Sequence, residues 1–412
     1  MSRVKLETIK KILTSEYWLI AALSGIFFFF FALNRGGVEV CIKITGFFLI
    51  INVLVGDYQI KKIHFGYLLT AGICTYLLLA SLLVPFSQPR HMVILVKMLS
   101  IIFAIHCLSR KEIDDRITPL LGAVLALSVC WQFAARCLCN MPFGTYANPH
   151  YLASFALLSL PLIVYFFRVN TGWYRFIFVP VGILDADLFL QIGSRPACLA
   201  ITCGALFVVI FLAKRQHKRL GTMLILSILA VLCATQYADI VSKIIDLILT
   251  LSTEERLQFW ADAWKMLKDN TLMAWIAGNG IGSVRVFFPK YSVPEYSMFV
   301  FPHNYFLEIL YENGIIGAVL VFGGLGFLFF EVIKRTKETG NKKRRILLKC
   351  MIVTFVCWFI HCGLTFPFYS KYSLYPFAFI LGVLLVLVDK MDCCETFVHE
   401  RLRGNKCDQV KK

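Results

Sequence analysis

The sequence predicts an all-α membrane protein with about twelve transmembrane helices and one large loop on the non-cytoplasmic side. Its 412 residues are 58% hydrophobic and only 16% charged, and the mean hydropathy is +0.72. Soluble domains carry about 25% charged residues, so this composition is typical of a membrane protein. Apolar runs recur at the length of about 20 residues that a membrane helix needs. These runs lie at 17–33, 38–55, 65–85, 91–108, 117–138, 151–169, 173–190, 197–213, 220–236, 314–332, 346–366 and 373–389.

The distribution of Lys and Arg over the loops predicts the orientation of the chain. Basic clusters occupy the N-terminal segment, every second loop and the C-terminal segment. Because Lys and Arg are enriched in short cytoplasmic loops, we expect both termini in the cytoplasm. The short loops on the other side hold one basic residue each: Arg35, Arg90, Arg136, Arg195 and Lys371.

The apolar runs and the basic loops between them divide the chain into four predicted segments. Residues 1–236 supply nine transmembrane helices, and 237–303 form the large loop on the periplasmic side. Residues 304–389 supply three more transmembrane helices with a re-entrant start, and 390–412 form a cytoplasmic tail. A loop as long as 237–303 usually carries function, so the search for a site begins there.

The net charge of +17 and the 15 cysteines favour neither nucleic-acid binding nor metal binding. The basic residues are spread over short loops as topology determinants, so we expect no nucleic-acid partner. Most cysteines lie inside apolar runs, where a thiol behaves as a small apolar group. No C-x-x-C motif occurs, and neither of the close cysteine pairs has zinc spacing with a histidine. We therefore predict no metal site.

The large loop contains a predicted helix followed by a glycine-rich turn. The residues 252–255 read as a capping box that opens this helix. Four apolar residues then follow at helical spacing and predict a face that lies on the membrane surface or on the bundle. We expect the glycine-rich turn at 278–282 to be flexible. The apolar face consists of Leu257, Trp260, Trp264 and Leu267.

Two arginines on the non-cytoplasmic side are candidates for binding phosphate. Arg195 begins a span on the side where basic residues are depleted, and Arg256 lies in the first turn of the loop helix. A guanidinium group is a permanently charged fork that matches phosphate oxygens, and a helix N-terminus also favours an anion. The alternatives are a snorkelling arginine for Arg195 and an ion pair with a nearby acid for Arg256.

His303 is the candidate proton acceptor. Pro302 keeps the preceding chain extended and presents His303 at a helix start, next to Asn304. Imidazole is the side chain best suited to accept a proton near neutral pH, although a lone histidine at a membrane interface is more often only hydrogen-bonded. Gly314 allows a break before the next span, and Gly317 allows close helix contact.

These motifs resemble those of the O-antigen ligase and O-antigen polymerase superfamily, the WaaL-like and Wzy-like proteins. His303-Asn304, nine residues and then Gly314-x-x-Gly317 match its signature. Further matches are Ser194-Arg195, Arg256 with Trp260, the turn at 278–282, and Asn148-Pro149-His150 with Ala153, where His150 replaces the usual Asn.

The resemblance implies a multi-span glycosyltransferase of the GT-C-like class in the inner membrane, with its active face in the periplasm. It implies a glycan donor on undecaprenyl diphosphate, an acceptor glycan or lipid A-core, inversion at the anomeric carbon, and no metal or other cofactor. A chain-length regulator is a further expected partner. Arg195 and Arg256 would hold the diphosphate, and His303 would orient or deprotonate the acceptor hydroxyl. Supporting residues would be Asn304, Glu312, Arg285, Gly314 and Gly317.

Three questions stay open from the sequence alone. Ligase and polymerase differ in acceptor recognition, which the motifs do not separate. The main alternative function is a multi-span transporter or flippase for polysaccharide or lipid-linked glycan, which predicts charged residues spread through several spans. Asp185 and Asp187 lie in one apolar run, and their role is open between ion pairing and a direct function.

Overall fold

The computed structural model is helical throughout the part of the chain that it describes. That part comprises residues 65–84, 86–109, 117–142, 148–192, 194–212, 255–293, 299–365, 377–378, 381–382 and 384–385. Three predicted spans, at 17–33, 38–55 and 220–236, lie outside the described residues, as does most of the span at 373–389.

Apart from three short helices in the predicted loop at 237–303, the described helices coincide with predicted spans over most of their length. Within the described residues, three helices are long and apolar enough to cross a membrane, Pro149–Val169, Tyr305–Glu338 and Lys342–Gly363, and shorter apolar stretches lie at Leu68–Leu82, Gly122–Leu138 and Pro196–Phe211. Twelve transmembrane helices therefore stay a prediction. In chain order the helices are α1 (Phe65–Leu82), α2 (Pro89–Ser109), α3 (Ile117–Leu138), α4 (Pro149–Val169), α5 (Phe178–Ile192), α6 (Arg195–Phe207), α7 (Glu255–Lys268), α8 (Leu272–Ala277), α9 (Val284–Tyr291), α10 (Tyr305–Glu338) and α11 (Lys342–Gly363).

Helix α4 is the centre of the described bundle. The Asn148 side chain accepts a hydrogen bond from the His150 N–H at 2.8 Å, and Pro149 occupies the first turn, so the helix start is well specified. Every residue of 152–159 is buried, against α5 on one side and α11 on the other. Asp185 on α5 is buried here as well, and its carboxylate accepts from the Ser159 hydroxyl at 2.8 Å.

Helix α10 begins at a cap and breaks after nine residues. The Asn304 side chain accepts from the N–H groups of Phe306 and Leu307, at 3.0 and 3.2 Å. Gly314 has φ +63° and ψ −172°, which interrupts the helix at the expected position. A Cβ at Gly314 would collide with the backbone of Ile276 in α8, so only glycine fits this contact.

Small residues bring the longer part of α10 against α1. At Gly324 an added Cβ would lie 2.6 Å from Ile73, and at Gly317 it would lie 3.6 Å from the Tyr76 ring. Glycine is therefore needed for close contact with α1 at Gly324, whereas the tight contact at Gly317 is with Asn313 Cβ of α10 itself.

The loop helices α7, α8 and α9 form a small apolar core with the start of α10. Phe259, Met266 and Phe288 are buried in it. Of the apolar face predicted for α7, Leu267 is buried, whereas Leu257 and Trp264 are 40% and 46% exposed, and contact of this face with the membrane surface stays a prediction. The buried face is turned so that Phe259 points to the start of α10. The proposed cap at 252–254 lies outside the described residues.

The glycine-rich turn is closely packed, which corrects the expectation that it is flexible. Gly278, Gly280 and Gly282 have φ between +82° and +89°. An added Cβ at Gly282 would lie 2.6 Å from Gln88, and those at the other two would collide with neighbours as well. The Ile281 carbonyl accepts from the Gln88 N–H at 2.7 Å. The turn thus joins the α1–α2 loop to α10, and its glycines are needed for this close approach.

Candidate site at the start of α10

The backbone at His303 is held in an unusual conformation. His303 has φ +53°, in the left-handed region that non-glycine residues rarely adopt. It lies between buried Pro302 and Asn304, which caps α10. Such strain persists only where the surroundings enforce it, and it is concentrated at functional sites.

A single hydrogen bond determines the tautomer of His303. Its Nδ1 lies 2.7 Å from the Thr365 carbonyl oxygen, just beyond the end of α11. A carbonyl oxygen only accepts, so Nδ1 carries the proton and donates it. In the neutral ring Nε2 is then left with a lone pair.

The surroundings keep the His303 imidazole uncharged at neutral pH. Burial lowers the pKa of His303 to about 4. The bond to Thr365 opposes this shift, and the positive charges of Arg256 and of protonated His150 add to it. His303 is therefore prepared to accept a proton at Nε2.

Three phenylalanine rings surround His303. Phe259 stacks on the imidazole with ring centroids 5.9 Å apart, and Phe301 and Phe299 approach edge-on at 4.6 and 6.3 Å. Phe301 and Phe299 come from the segment before His303, and Phe259 comes from α7. This apolar wall explains the burial that lowers the His303 pKa.

Helix α7 brings Arg256 to the same place. Arg256 lies one turn before Phe259, so both residues share one face of the helix. Arg256 is half-buried, and its charge acts on His303, His150 and His361. Arg256 is thus close enough to His303 for its charge to act on the imidazole, and their joint role in a site stays a prediction.

The start of α6 joins this cluster through His150. Ser194 is the N-cap of α6, is buried, and its Oγ lies 3.1 Å from His150 Nδ1. Arg195 is the first residue of α6, so its backbone lies beside this bond. The Arg195 side chain lies outside the described part of the chain.

The end of α11 contributes two residues to this cluster, His361 and Thr365, that were not candidates from the sequence. His361 is fully buried, its Nδ1 lies 3.0 Å from the Ser154 hydroxyl, and its ring centroid lies 6.2 Å from that of His150. The Thr365 hydroxyl donates to the His361 carbonyl at 2.7 Å, which fixes the residue that holds His303. A histidine inside an apolar run and a backbone carbonyl give no recognisable sequence signal.

Two of the expected supporting residues, Asn304 and Glu312, form hydrogen bonds that hold backbone segments in place. Asn304 caps α10 as described above. Glu312 is buried and accepts from the Val284 N–H at 3.3 Å, and the Gly282 N–H also bonds its carboxylate. Glu312 therefore fixes the glycine-rich turn to α10.

Arg285 lies apart from the His303 cluster. It is exposed on α9, and its charge acts on His91 of α2, whereas the charges that act on His303 are those of Arg256 and His150. The supporting role expected of Arg285 stays a prediction. Within the described ranges, no group of three or more His, Cys, Asp or Glu residues is arranged to hold a metal ion.

The fold and the cluster together define an integral membrane protein with a polar centre where loop helices meet the bundle. Residues 180–322 match the Wzy_C family model, which is described as O-antigen ligase. The predicted resemblance to the O-antigen ligase and polymerase superfamily is therefore confirmed. A search of curated proteins found no match.

The matched segment covers about a third of the chain and contains most of the cluster. Ser194, Arg256 and His303 lie inside it. His150, His361 and Thr365 lie outside it, on α4 and at the end of α11. The centre is thus completed by elements on both sides of the family segment.

Proposed function

We propose that this protein transfers a glycan from undecaprenyl diphosphate to an acceptor hydroxyl, with inversion at the anomeric carbon. The observation that carries the proposal is the state of His303. Its imidazole is neutral, its Nδ1–H is committed to the Thr365 carbonyl, and Nε2 can take a proton beside the Arg256 charge.

The reaction follows from these groups. Nε2 of His303 accepts the proton of the acceptor hydroxyl while the hydroxyl oxygen attacks the anomeric carbon. A new C–O bond forms on the face opposite the leaving group, and the bond from the anomeric carbon to the diphosphate oxygen breaks. Undecaprenyl diphosphate departs with the bonding electrons. His303 then returns its proton to solvent.

Arg256 has the position and charge to stabilise the departing diphosphate. Its guanidinium group can bind two phosphate oxygens at once, and it lies near the N-terminus of α7, where an anion is favoured. We assign the same role to Arg195, because Ser194 and His150 hold the start of α6 next to the Arg256 environment. Together the two arginines supply positive charge where negative charge develops in the transition state.

The charges also link donor binding to the basicity of His303. In the free protein the Arg256 charge opposes protonation of the imidazole. A bound diphosphate offsets that charge and makes His303 a stronger base. Proton transfer is then favoured only when the donor is in place, which protects the site from unproductive protonation.

The proposed setting is the periplasmic face of the inner membrane, with both termini in the cytoplasm. The distribution of basic loops supports this orientation. The acceptor decides whether the protein is a ligase, which uses lipid A-core, or a polymerase, which uses a second glycan on its lipid.

A reconstituted reaction tests the proposal. The full chain in proteoliposomes receives an undecaprenyl-diphosphate-linked glycan with either lipid A-core or a second lipid-linked glycan as acceptor. We expect a product with the mass of acceptor plus donor glycan, and release of undecaprenyl diphosphate in equal amount. Movement of intact donor across the membrane with no such product from either acceptor would indicate a flippase and would contradict the proposal.

A further inference from the structure

Besides the His303 cluster with Arg256, a second group of cationic side chains lies on the exposed side of α9. Arg90 in the first turn of α2 and Arg285 in the first turn of α9 are both exposed, and both charges act on His91 between them. We call these three residues the Arg90–Arg285 patch. The loops that carry Arg90 and Arg285 are predicted on the same, non-cytoplasmic side.

Hydrogen bonds hold the start of α9, which carries Arg285, against the α1–α2 loop that leads to Arg90. The Ile281 carbonyl accepts from the Gln88 N–H at 2.7 Å, and the Ile281 N–H donates to the Ser81 hydroxyl at 3.1 Å. A Cβ at Gly282 would lie 2.8 Å from His91 Nδ1. The start of α9 is therefore seated on the start of α2, and the two arginines have a fixed relation.

The positive charge of the patch is not neutralised by the described residues around it. Neither Arg90 nor Arg285 forms an ion pair or a side-chain hydrogen bond with any residue in the described ranges. Both occupy first helical turns, where a cation is unfavourable. Two guanidinium groups with exposed donors are suited to a phosphate group.

Apolar side chains next to the patch indicate the source of that phosphate. Leu82, Leu83 and Phe86 are 69%, 86% and 47% exposed at the end of α1, and Phe86 contacts Phe287 of α9 edge-on at 4.9 Å. Lys290 lies 5.0 Å from the Phe287 ring centre and adds a third cation. Basic groups beside exposed apolar groups are typical of a surface at the lipid head groups.

Helix α9 connects this surface to the His303 cluster. Val284 and Phe288 on its inner side are buried, and the Phe288 ring lies 6.2 Å from Phe259, which stacks on His303. Side chains of α9 and α7 therefore connect the patch to the imidazole of His303.

We propose that the Arg90–Arg285 patch binds the phosphorylated head group of a membrane lipid. In the transfer reaction that lipid is the acceptor, an assignment that rests on the function proposed above. The binding itself does not depend on that function, so it is tested with no donor present.

Native mass spectrometry of the full chain in detergent tests the binding. The probes are dihexanoyl phosphatidic acid, the uncharged dihexanoyl glycerol and inorganic phosphate. We expect the phosphatidic acid to bind, and the affinity to fall about tenfold or more in Arg90→Gln/Arg285→Gln, since each basic residue contributes to attraction of an anionic lipid. The single variant Arg285→Gln shows a smaller loss in the same direction.

Two variants serve as controls. Lys268→Gln removes one exposed charge from α7 and leaves binding unchanged. Arg256→Gln removes one cation of the proposed donor site, so phosphatidic acid that still binds to this variant is bound elsewhere, as expected for the patch. Binding to Arg256→Gln that is unchanged when Arg90→Gln/Arg285→Gln is added overturns the proposal. Equal affinity for inorganic phosphate or for dihexanoyl glycerol overturns it as well.

Discussion

His303 and His361 are two histidines in one cluster, and their surroundings differ in three respects. His303 lies in a loop with positive φ, donates from Nδ1 to a carbonyl, and is a residue of intermediate exposure. His361 lies in regular helix, is fully buried, and has Nδ1 beside a hydroxyl that can donate or accept. Only the carbonyl partner of His303 requires the proton to be on Nδ1, and it therefore leaves Nε2 as the nitrogen that can accept a proton.

The difference shows how one residue type takes two roles. A carbonyl partner and a positive φ constrain His303 at a cost in local stability, as expected at a reacting centre. A hydroxyl partner inside the bundle satisfies a buried polar group of His361, as expected for structure. The variants below test this contrast.

The largest expected effect follows from replacing His303. His303→Asn retains a residue that tolerates positive φ but removes the base. We expect glycan transfer to fall by about 10²–10⁴-fold, the usual contribution of a positioned base. The measurement is product formation per mole of folded protein in proteoliposomes. Transfer within a few-fold of the wild-type rate would remove His303 from the chemistry.

Replacing Arg256 is expected to have the next largest effect. Arg256→Gln should lower transfer by about 10²–10³-fold, as for loss of one group that stabilises developing charge. Lys268→Gln on the same helix is the matched control and should be near wild type, because Lys268 is exposed at the far end of α7. Initial rates at saturating and limiting donor separate binding from turnover. Similar rates for both variants would contradict the role of Arg256.

The break in α10 is tested by adding one methyl group. Gly314→Ala places a Cβ against the Ile276 backbone in a left-handed conformation, so we expect a loss of at least about 1–2 kcal/mol of stability. Gly323→Ala is the control, because an added Cβ there meets nothing within 4 Å. Thermal unfolding in detergent gives both values. Equal midpoints for the two variants would show that the break is not required.

The smallest expected effect on glycan transfer comes from changing the hydrogen-bond partner of His361. Ser154→Ala removes the hydroxyl beside His361 Nδ1 and should cost about 1 kcal/mol of stability, with transfer nearly unchanged. Thr354→Ala, which loses only a bond to the Cys350 carbonyl of its own helix, is the control. A loss of transfer as large as that of His303→Asn would place His361 in the reaction.

The sequence predicted those parts of the fold that depend on local pattern. Apolar length located the helices, Pro302 located the start of α10 next to His303, and Gly314 located its break. His303 and Arg256 were found because a proline and a loop helix place them at helix starts. These signals act within a few residues and are visible in one chain.

Contacts between distant segments could not be predicted in the same way. The burial of Phe259 was not predicted, because its stack with His303 joins α7 to a residue more than 40 positions later in the chain. The glycine-rich turn is held by Gln88, almost 200 residues earlier in the chain. Thr365 acts through its backbone, which the residue type does not reveal.

The most direct test of the link between Arg256 and His303 is an NMR titration of ¹⁵N-histidine-labelled protein in detergent. The His303 resonance is assigned by its loss in His303→Asn. In the wild type, His303 should titrate with a pKa of about 4, because burial and the Arg256 charge both disfavour the imidazolium. In Arg256→Gln the charge is gone but burial, the larger cause, remains, so the pKa should rise and still lie below 6.5. A wild-type pKa already near 6.5, or an identical low value in both proteins, would contradict a neutral base controlled by a neighbouring phosphate-binding arginine.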